Sequence, residues 1–273
     1  MLSLCGCGFL PSRLPSQENE TQKLIESYQP LGNKEKDFQE PILPPLCELV
    51  DSGFPPMNKT SIEFCRKMLT LSPEENALAH GTNYGDRQDR DHWGRALSHK
   101  PQLIVLHETV IDLKQTVNLF KTPHPEDDQQ ASYHLLIDRK GNRWRIVPDE
   151  KRAYGSGMSA FGDATQRAKP GAVGSINNIA LHVSLVSPDD GREDSDAHSG
   201  YTDAQYRNLA GQVLLWQAMY GIPMTRVTTH SAVDRSHSRY DPRSFRWDRF
   251  DRQYKDAVNR CKLSQFDNQK AGL

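Results

Sequence analysis

No run in this 273-residue chain approaches the ~20 consecutive apolar residues that a helix needs to cross a bilayer, and the mean hydropathy is −0.73. A transmembrane segment is therefore not expected. Neither sign of charge dominates: 34 Lys and Arg stand against 35 Asp and Glu, for a formal net charge of −1. That balance lacks the basic footprint with which proteins neutralise phosphates, so nucleic acid is excluded as a partner. Cysteines are few, Cys5, Cys7, Cys47, Cys65 and Cys261. None falls in the C-x-x-C spacing of a zinc knuckle or a redox pair. Cys47 and Cys65 flank a short segment and suit either a disulfide in an oxidising compartment or two thiols. The glycine-rich "GSGMSAFG" (155–162) lacks the Lys-Ser/Thr of a phosphate cradle, and no G-x-S-x-G nucleophile elbow occurs. With no repeat in the body of the chain either, what remains is an ordinary soluble composition, long enough for one core and an appendage.

The appendage is expected at the N-terminal end. Residues 8 to about 60 are rich in Pro, Glu, Gln, Ser and Lys without a sustained apolar period, as in "EPILPPLCELVDSGFPP", which reads as a linker or loose extension. Ahead of it, Leu4-Cys5-Gly6-Cys7 resembles a bacterial lipoprotein processing site, although almost no apolar stretch precedes it. "NKTSIEFCRKMLTLSPEE" suits a short helix ending before Pro73. The divisions expected are residues 1–82 as extension, 83–260 as a catalytic-size domain, and 261–273 as a tail.

Within the domain, "LIVLH" (103–107) is a continuous apolar run fit for a strand buried on both faces, and it ends on His107. Val110, Leu113, Val117 and Phe120 follow at helical spacing. "SYHLLIDRKGNRWRIVP" reads as a hairpin turning at 139–142, and "NIALHVSLV" as the next strand. Thr202 to Gln205 form a capping box, opening a helix with Tyr206, Leu209, Ala210, Val213 and Tyr220 on its buried stripe and Gly221 and Pro223 at its end. "RVTTH" is then a second β-rich run ending on a histidine, His230. The expected fold is α/β, a central mixed β-sheet flanked by α-helices, with a largely irregular N-terminal extension.

Two core strands that each deliver a histidine at their end suggest a His₂-carboxylate metal site with an open position, the arrangement of catalytic zinc. The third ligand is Asp234 or Asp241. Pro242 biases Asp241 toward an extended backbone, whereas Asp234, four residues after His230, needs a helical turn for which the polar loop "TTHSAVDRSHSRYDP" gives no signal. His198 is expected in a solvated loop, and His80, His92, His99 and His124 at the surface.

In this order, "IVLHET", "SYHLLIDRKGN", "NNIALHVSL", "GYTDAQYRNLAGQVLLWQAMYGIP", "TTH" and "DPRSFRW" resemble the zinc-dependent N-acetylmuramoyl-L-alanine amidases related to phage lysozyme-type amidases and peptidoglycan recognition proteins, closest to cyanobacterial members. The resemblance spans roughly residues 83–250. It implies one Zn²⁺ ion, ligands His107, His230 and Asp241, and cleavage of the amide between the lactyl group of N-acetylmuramic acid and L-alanine. It also implies a tyrosine beside the metal at Tyr133, and the family's lysine two before the last ligand replaced by Arg239. Many relatives carry a glutamate where this chain has His182, which makes His182 either a general base or substrate-orienting group, or a hydrogen-bonded residue of the cleft wall. Tyr154 and Ser156, in "AYGSG", fall where relatives contact the muropeptide with tryptophan and histidine. The implied partner is peptidoglycan or a muropeptide, the implied state a monomer, and the implied place the cell envelope or periplasm, lipid-anchored if Cys5 is processed, with the cytoplasm as the other choice. Some relatives of this fold bind muropeptides without cutting them, which makes a binding module the alternative reading.

Overall fold

The structure, a computed structural model, describes residues 59–192 and 195–270, with residues 262–270 described by backbone alone. Cys5, Cys7 and Cys47 lie outside the described residues, but neither a Cys47–Cys65 disulfide nor a free Cys65 thiol holds, because Cys65 is bonded to Cys261.

β-branched and leucine-rich runs build the centre. β3 (Leu103–Glu108) and β7 (Ala180–Leu185) are buried along their whole length and pair in parallel, Leu103 opposite Ala180 through Glu108 opposite Leu185. On the other side of β3 lies β8 (Val227–Thr229), also parallel, with Leu106 opposite Thr229. β4 (Leu135–Ile137) extends the sheet from β7. It turns back into β5 (Arg143–Arg145) as the expected antiparallel hairpin. In that turn Gly141 takes a φ of +87°, and the Asp138 carboxylate accepts from the backbone of Lys140 and Asn142, the local hydrogen bonding that makes Asp and Gly turn formers. β1 (Glu74–Asn76) closes the far edge, so the order is β1-β5-β4-β7-β3-β8, a mixed sheet. A second, two-stranded sheet pairs β2 (Tyr84–Asp86) with β6 (Lys151–Ala153).

The strands' period of two divides the side chains between the faces. Ile104, Leu106, Leu181, Val183, Leu185, Leu135 and Ile137 join the core built on α3 (Asp203–Tyr220), while Leu103, Val105 and Ala180 pack on the opposite face with Ile176 and Val233. α3 opens with the Thr202–Gln205 capping box and ends at Gly221 in the left-handed conformation. It is buried nearly all round rather than along one stripe. Its outer side is covered by α1 (Lys59–Met68) and α5 (Trp247–Lys270). α2 (Leu113–Lys121) starts at the Asp112 cap. Val110, expected on its face, precedes it with a φ of 61°.

The boundaries expected from composition therefore move. α1 and β1 belong to the folded body, because Cys65 and Leu69 sit in the α3 core and β1 is a strand of the central sheet. The supposed tail is the end of α5, and Cys261 forms a disulfide with Cys65 across 196 residues of sequence. None of the described helices is long and apolar enough to cross a membrane.

Candidate metal centre and active site

Adjacent parallel strands with a histidine at or just past their C-terminal ends bring their imidazoles together at that edge of the sheet, where open α/β sheets place their ligands. Since Leu106 stands opposite Thr229, the next residues, His107 and His230, emerge side by side, with ring centroids 4.6 Å apart. His230 begins a one-turn helix, α4 (His230–Val233), capped by Thr229. This is the turn that the sequence did not signal.

It carries Asp234 away from the two imidazoles. The Asp234 carboxylate instead accepts from the backbone of Ser236, Ser238 and Arg239 at 2.8–2.9 Å and from the Ser236 hydroxyl at 2.6 Å. Its role is to fold the loop that returns Asp241 to the site. The Ser231 amide donates to the Asp241 carbonyl and closes that return.

His107, His230 and Asp241 are all buried and each offers a ligand atom within 4.8 Å of the others. Asp241 Oδ1 lies 2.8 Å from His230 Nδ1, and Oδ2 lies 3.3 Å from His107 Nδ1. Yet both Nδ1 atoms lack a hydrogen-bond partner among the described residues, so the close approach is not aligned as a hydrogen bond. Buried polar atoms are rarely left so. Two such nitrogens facing one carboxylate fit a cation. The protonation states fit it as well. Burial and the neighbouring His230 push the His107 imidazole down to about 4, which leaves it neutral at pH 7. Burial alone would raise the Asp241 carboxyl, but His230 and His107 outweigh it and hold the acid ionised far below its usual range. Neutral imidazoles and a carboxylate are the donor set of a catalytic zinc.

Tyr133 lies beside this cluster, its ring centroid 4.5 Å from that of His107 and braced edge-on by Phe120 of α2 at 5.4 Å. Burial first, and the Asp241 charge second, push the phenol up, so it stays protonated and able to donate. Arg239 is exposed, near enough for its charge to be felt by His107 and Tyr133. The structure thus gathers five of the expected residues, His107, His230, Asp241, Tyr133 and Arg239.

The other three are placed differently. His182 is fully buried on β7, with Nδ1 2.9 Å from His107 Nε2, the ring nitrogen that Asp241 does not face. Its burial and this contact are what the wall-residue reading expects. Ser156 is fully buried as well, and its hydroxyl donates to Asn177 Oδ1 at 2.8 Å. A side chain enclosed in this way is a loop strut rather than part of a muropeptide-contacting wall. Tyr154 is half-buried with the Arg152 guanidinium 5.3 Å over its ring, and its backbone is tied to Ser132, next to Tyr133.

Sequence reasoning missed a second cluster on the opposite face of β3. Glu108 is buried, its Oε1 accepting from Arg243 Nε at 2.6 Å and its Oε2 meeting His198 Nε2 at 2.9 Å, Ser187 Oγ at 3.1 Å and Tyr201 OH at 3.1 Å. His198, expected in solvent, has a fully buried side chain. His124, also expected at the surface, is buried against Asn83. The signal for Glu108 was present: a carboxylate ending an otherwise apolar run needs a buried partner.

Among known proteins, the N-acetylmuramoyl-L-alanine amidase family model (Amidase_2) matches residues 97–244, more than half of the chain. No curated protein matches it. Of the solved structures, a selenomethionine AmpD derivative is similar over 67% of this chain and 94% of that one, at 23% identity and a TM-score of 0.47. AmpDH3 from Pseudomonas aeruginosa, in complex with anhydromuramic pentapeptide, is similar over 64% and 62%, at 21% identity and 0.43. A mutant endolysin from Bacillus subtilis is similar over 67% and 99%, at 15% identity and 0.45. Spanning both histidine-bearing strands and the returning Asp241, the family match establishes that the chain belongs to the N-acetylmuramoyl-L-alanine amidase family.

Proposed function

We propose that the protein is a zinc-dependent peptidoglycan amidase that hydrolyses the bond between the lactyl carbonyl of N-acetylmuramic acid and the nitrogen of L-alanine. The observation that carries the metal dependence is the buried triad His107, His230 and Asp241, with both imidazole Nδ1 atoms unpartnered among the described residues. What zinc supplies when held by these residues is Lewis acidity, for polarising an amide carbonyl and for making water acidic enough to attack near neutral pH.

The chain's own groups do the rest. Tyr133, kept protonated by burial, donates a hydrogen bond to the carbonyl or orients the attacking water. Arg239 offers a planar fork of donors to the oxygen that becomes negative as the carbonyl turns tetrahedral. Asp234 serves this step at one remove, since it holds the Arg239 backbone in place. The proton released by water passes to the departing alanine nitrogen, and no covalent enzyme intermediate is required.

A disulfide between two fully buried cysteines supports an oxidising, wall-facing compartment, because reducing compartments keep thiols reduced. This favours wall-derived substrate outside the cytoplasm. The test is to incubate the full-length protein with intact sacculi and, separately, with soluble muropeptides, and to analyse products by mass spectrometry. Stem peptide with a free L-alanine amine is expected, lost with chelator and restored by zinc. Retention of muropeptide without release would support the binding-only alternative instead.

A further inference from the structure

Beneath the metal triad lies a column of enclosed histidines. His182 stands opposite Val105 in the β3–β7 register, two residues below the level of His107, and its Nδ1 meets His107 Nε2 at 2.9 Å. His134 lies next, its ring stacked on His182 with 5.8 Å between centroids and 12° between planes. The two are also joined through the main chain: the His182 amide donates to His134 Nδ1 at 3.0 Å, and the His134 amide donates to the His182 carbonyl at 2.9 Å. Gly155 packs against the same ring so closely that a Cβ there would sit 2.6 Å from His182 Cγ and Nδ1. The absence of a side chain at residue 155 is what leaves room for the His182 ring in this position.

The proton inventory of this column is determined by the ligand at its top. An imidazole that gives its Nδ1 lone pair to a cation carries its proton on Nε2. In His107 that proton points at His182 Nδ1, which must then be an acceptor, with the His182 proton on Nε2. His134 follows the same pattern, its Nδ1 accepting and its Nε2 facing the Lys151 carbonyl at 3.1 Å. Hydrogen bonds to the far nitrogen of a ligating histidine fix its tautomer and ring plane and raise its basicity.

We propose that His182 is a positioning residue for the metal centre: it accepts the His107 Nε2 proton, aims His107 Nδ1 at the cation, and is itself seated by Gly155 and His134. The inference rests on the zinc reading above. It differs from a general-base role, because His182 is fully enclosed and its Nδ1 is engaged with His107.

Zinc affinity of the full-length protein, measured by competition with a chromophoric chelator, tests it. Relative to wild type, His182→Ala should bind zinc about 10–100-fold more weakly. His182→Gln, whose amide oxygen can accept the same proton, should recover most of that loss. Gly155→Ala, which pushes the ring without touching its chemistry, should weaken binding in the same direction as His182→Ala. Far-UV circular dichroism of each metal-free variant checks folding, and if His182→Ala does not fold, the other two variants carry the test. Activity should fall most at limiting zinc and recover as zinc is raised. The proposal is overturned by a His182→Ala protein that binds zinc as tightly as wild type. It is equally overturned by a glutamine variant no tighter than alanine, or by a loss of the 10²–10⁴-fold size of a general base that persists at saturating zinc. A wild-type protein that binds no zinc would instead refute the metal reading on which the inference stands.

Discussion

His107 and Glu108 are neighbours on β3, and Asp241 and Arg243 lie two apart on the segment that packs against it, yet the two pairs finish in opposite kinds of cluster. On one face Asp241 meets two imidazoles whose Nδ1 atoms have no partner among the described residues. On the other, Glu108 meets a guanidinium, an imidazole and two hydroxyls, with both carboxylate oxygens satisfied. Burial penalises both carboxylates, and in both it is outweighed, by His230 and His107 in one case and by His198 and Arg243 in the other. The difference is the source of the cation. Arg243 brings a permanent charge to Glu108, so that cluster is complete and structural; the Asp241 cluster has donors converging on a point, which the proposed zinc would complete from outside. A buried carboxylate thus marks a functional centre only when its partners leave lone pairs over.

The contrast can be broken from either side. The largest effect is expected from His107→Ala, which should remove stoichiometric zinc and cut muropeptide turnover by about 10³-fold or more, some 4 kcal/mol of transition-state stabilisation. A variant with full turnover would overturn the assignment. Arg243→Ala leaves Glu108 as a buried charge without its guanidinium, and should lower stability by about 3–5 kcal/mol in urea unfolding. Glu108→Gln together with Arg243→Met should recover part of that loss if the cluster is structural, as the comparison requires.

The metal-free protein should also respond to acid through the buried imidazoles in and beneath the Asp241 cluster. His107, His134 and His182 are held below their unfolded value by burial, His107 to about 4. Between that pH and about 6.5 the unfolded chain takes up protons that the folded one declines. Stability should therefore rise with pH through this window and fall as pH drops, at no more than about 1.4 kcal/mol per pH unit for each imidazole. Thermal unfolding in chelator across the window would measure it, and a flat profile would contradict the burial of these rings. The smallest effect on either cluster is expected from reducing Cys65–Cys261, which joins α1 to α5. Reductant should destabilise the fold by about 2–4 kcal/mol while leaving zinc affinity unchanged.

Much of this was legible before the fold was known. The apolar runs ending in His107 and His230, the hairpin turning at 139–142 and the Thr202 cap are local patterns, because buried strands, turns and helix ends each demand particular residues within a few positions. Asp241 was favoured over Asp234 on the argument that Asp234 lacked a helical turn. That turn exists as α4, and Asp234 leaves the site all the same because its carboxylate is spent on its own loop. His198 looked solvated because its neighbours in sequence are polar, but its partner, Glu108, is 90 residues away.

By itself, then, the sequence determined which residue types stand at the ends of which strands, the helix and turn boundaries near them, and the donor chemistry available for a metal. The tertiary structure alone decided which donors meet. The β3–β8 register set His107 beside His230, the period of two sent Glu108 to the far face, and β7 placed His182 behind His107. The body of the fold likewise extends to α1 and β1, since a disulfide and a strand pairing join residues far apart in the chain. The physical reason is the same throughout: hydrogen bonding and side-chain direction within a segment are written in a few adjacent residues, whereas partnership across strands depends on register, and no local pattern encodes it.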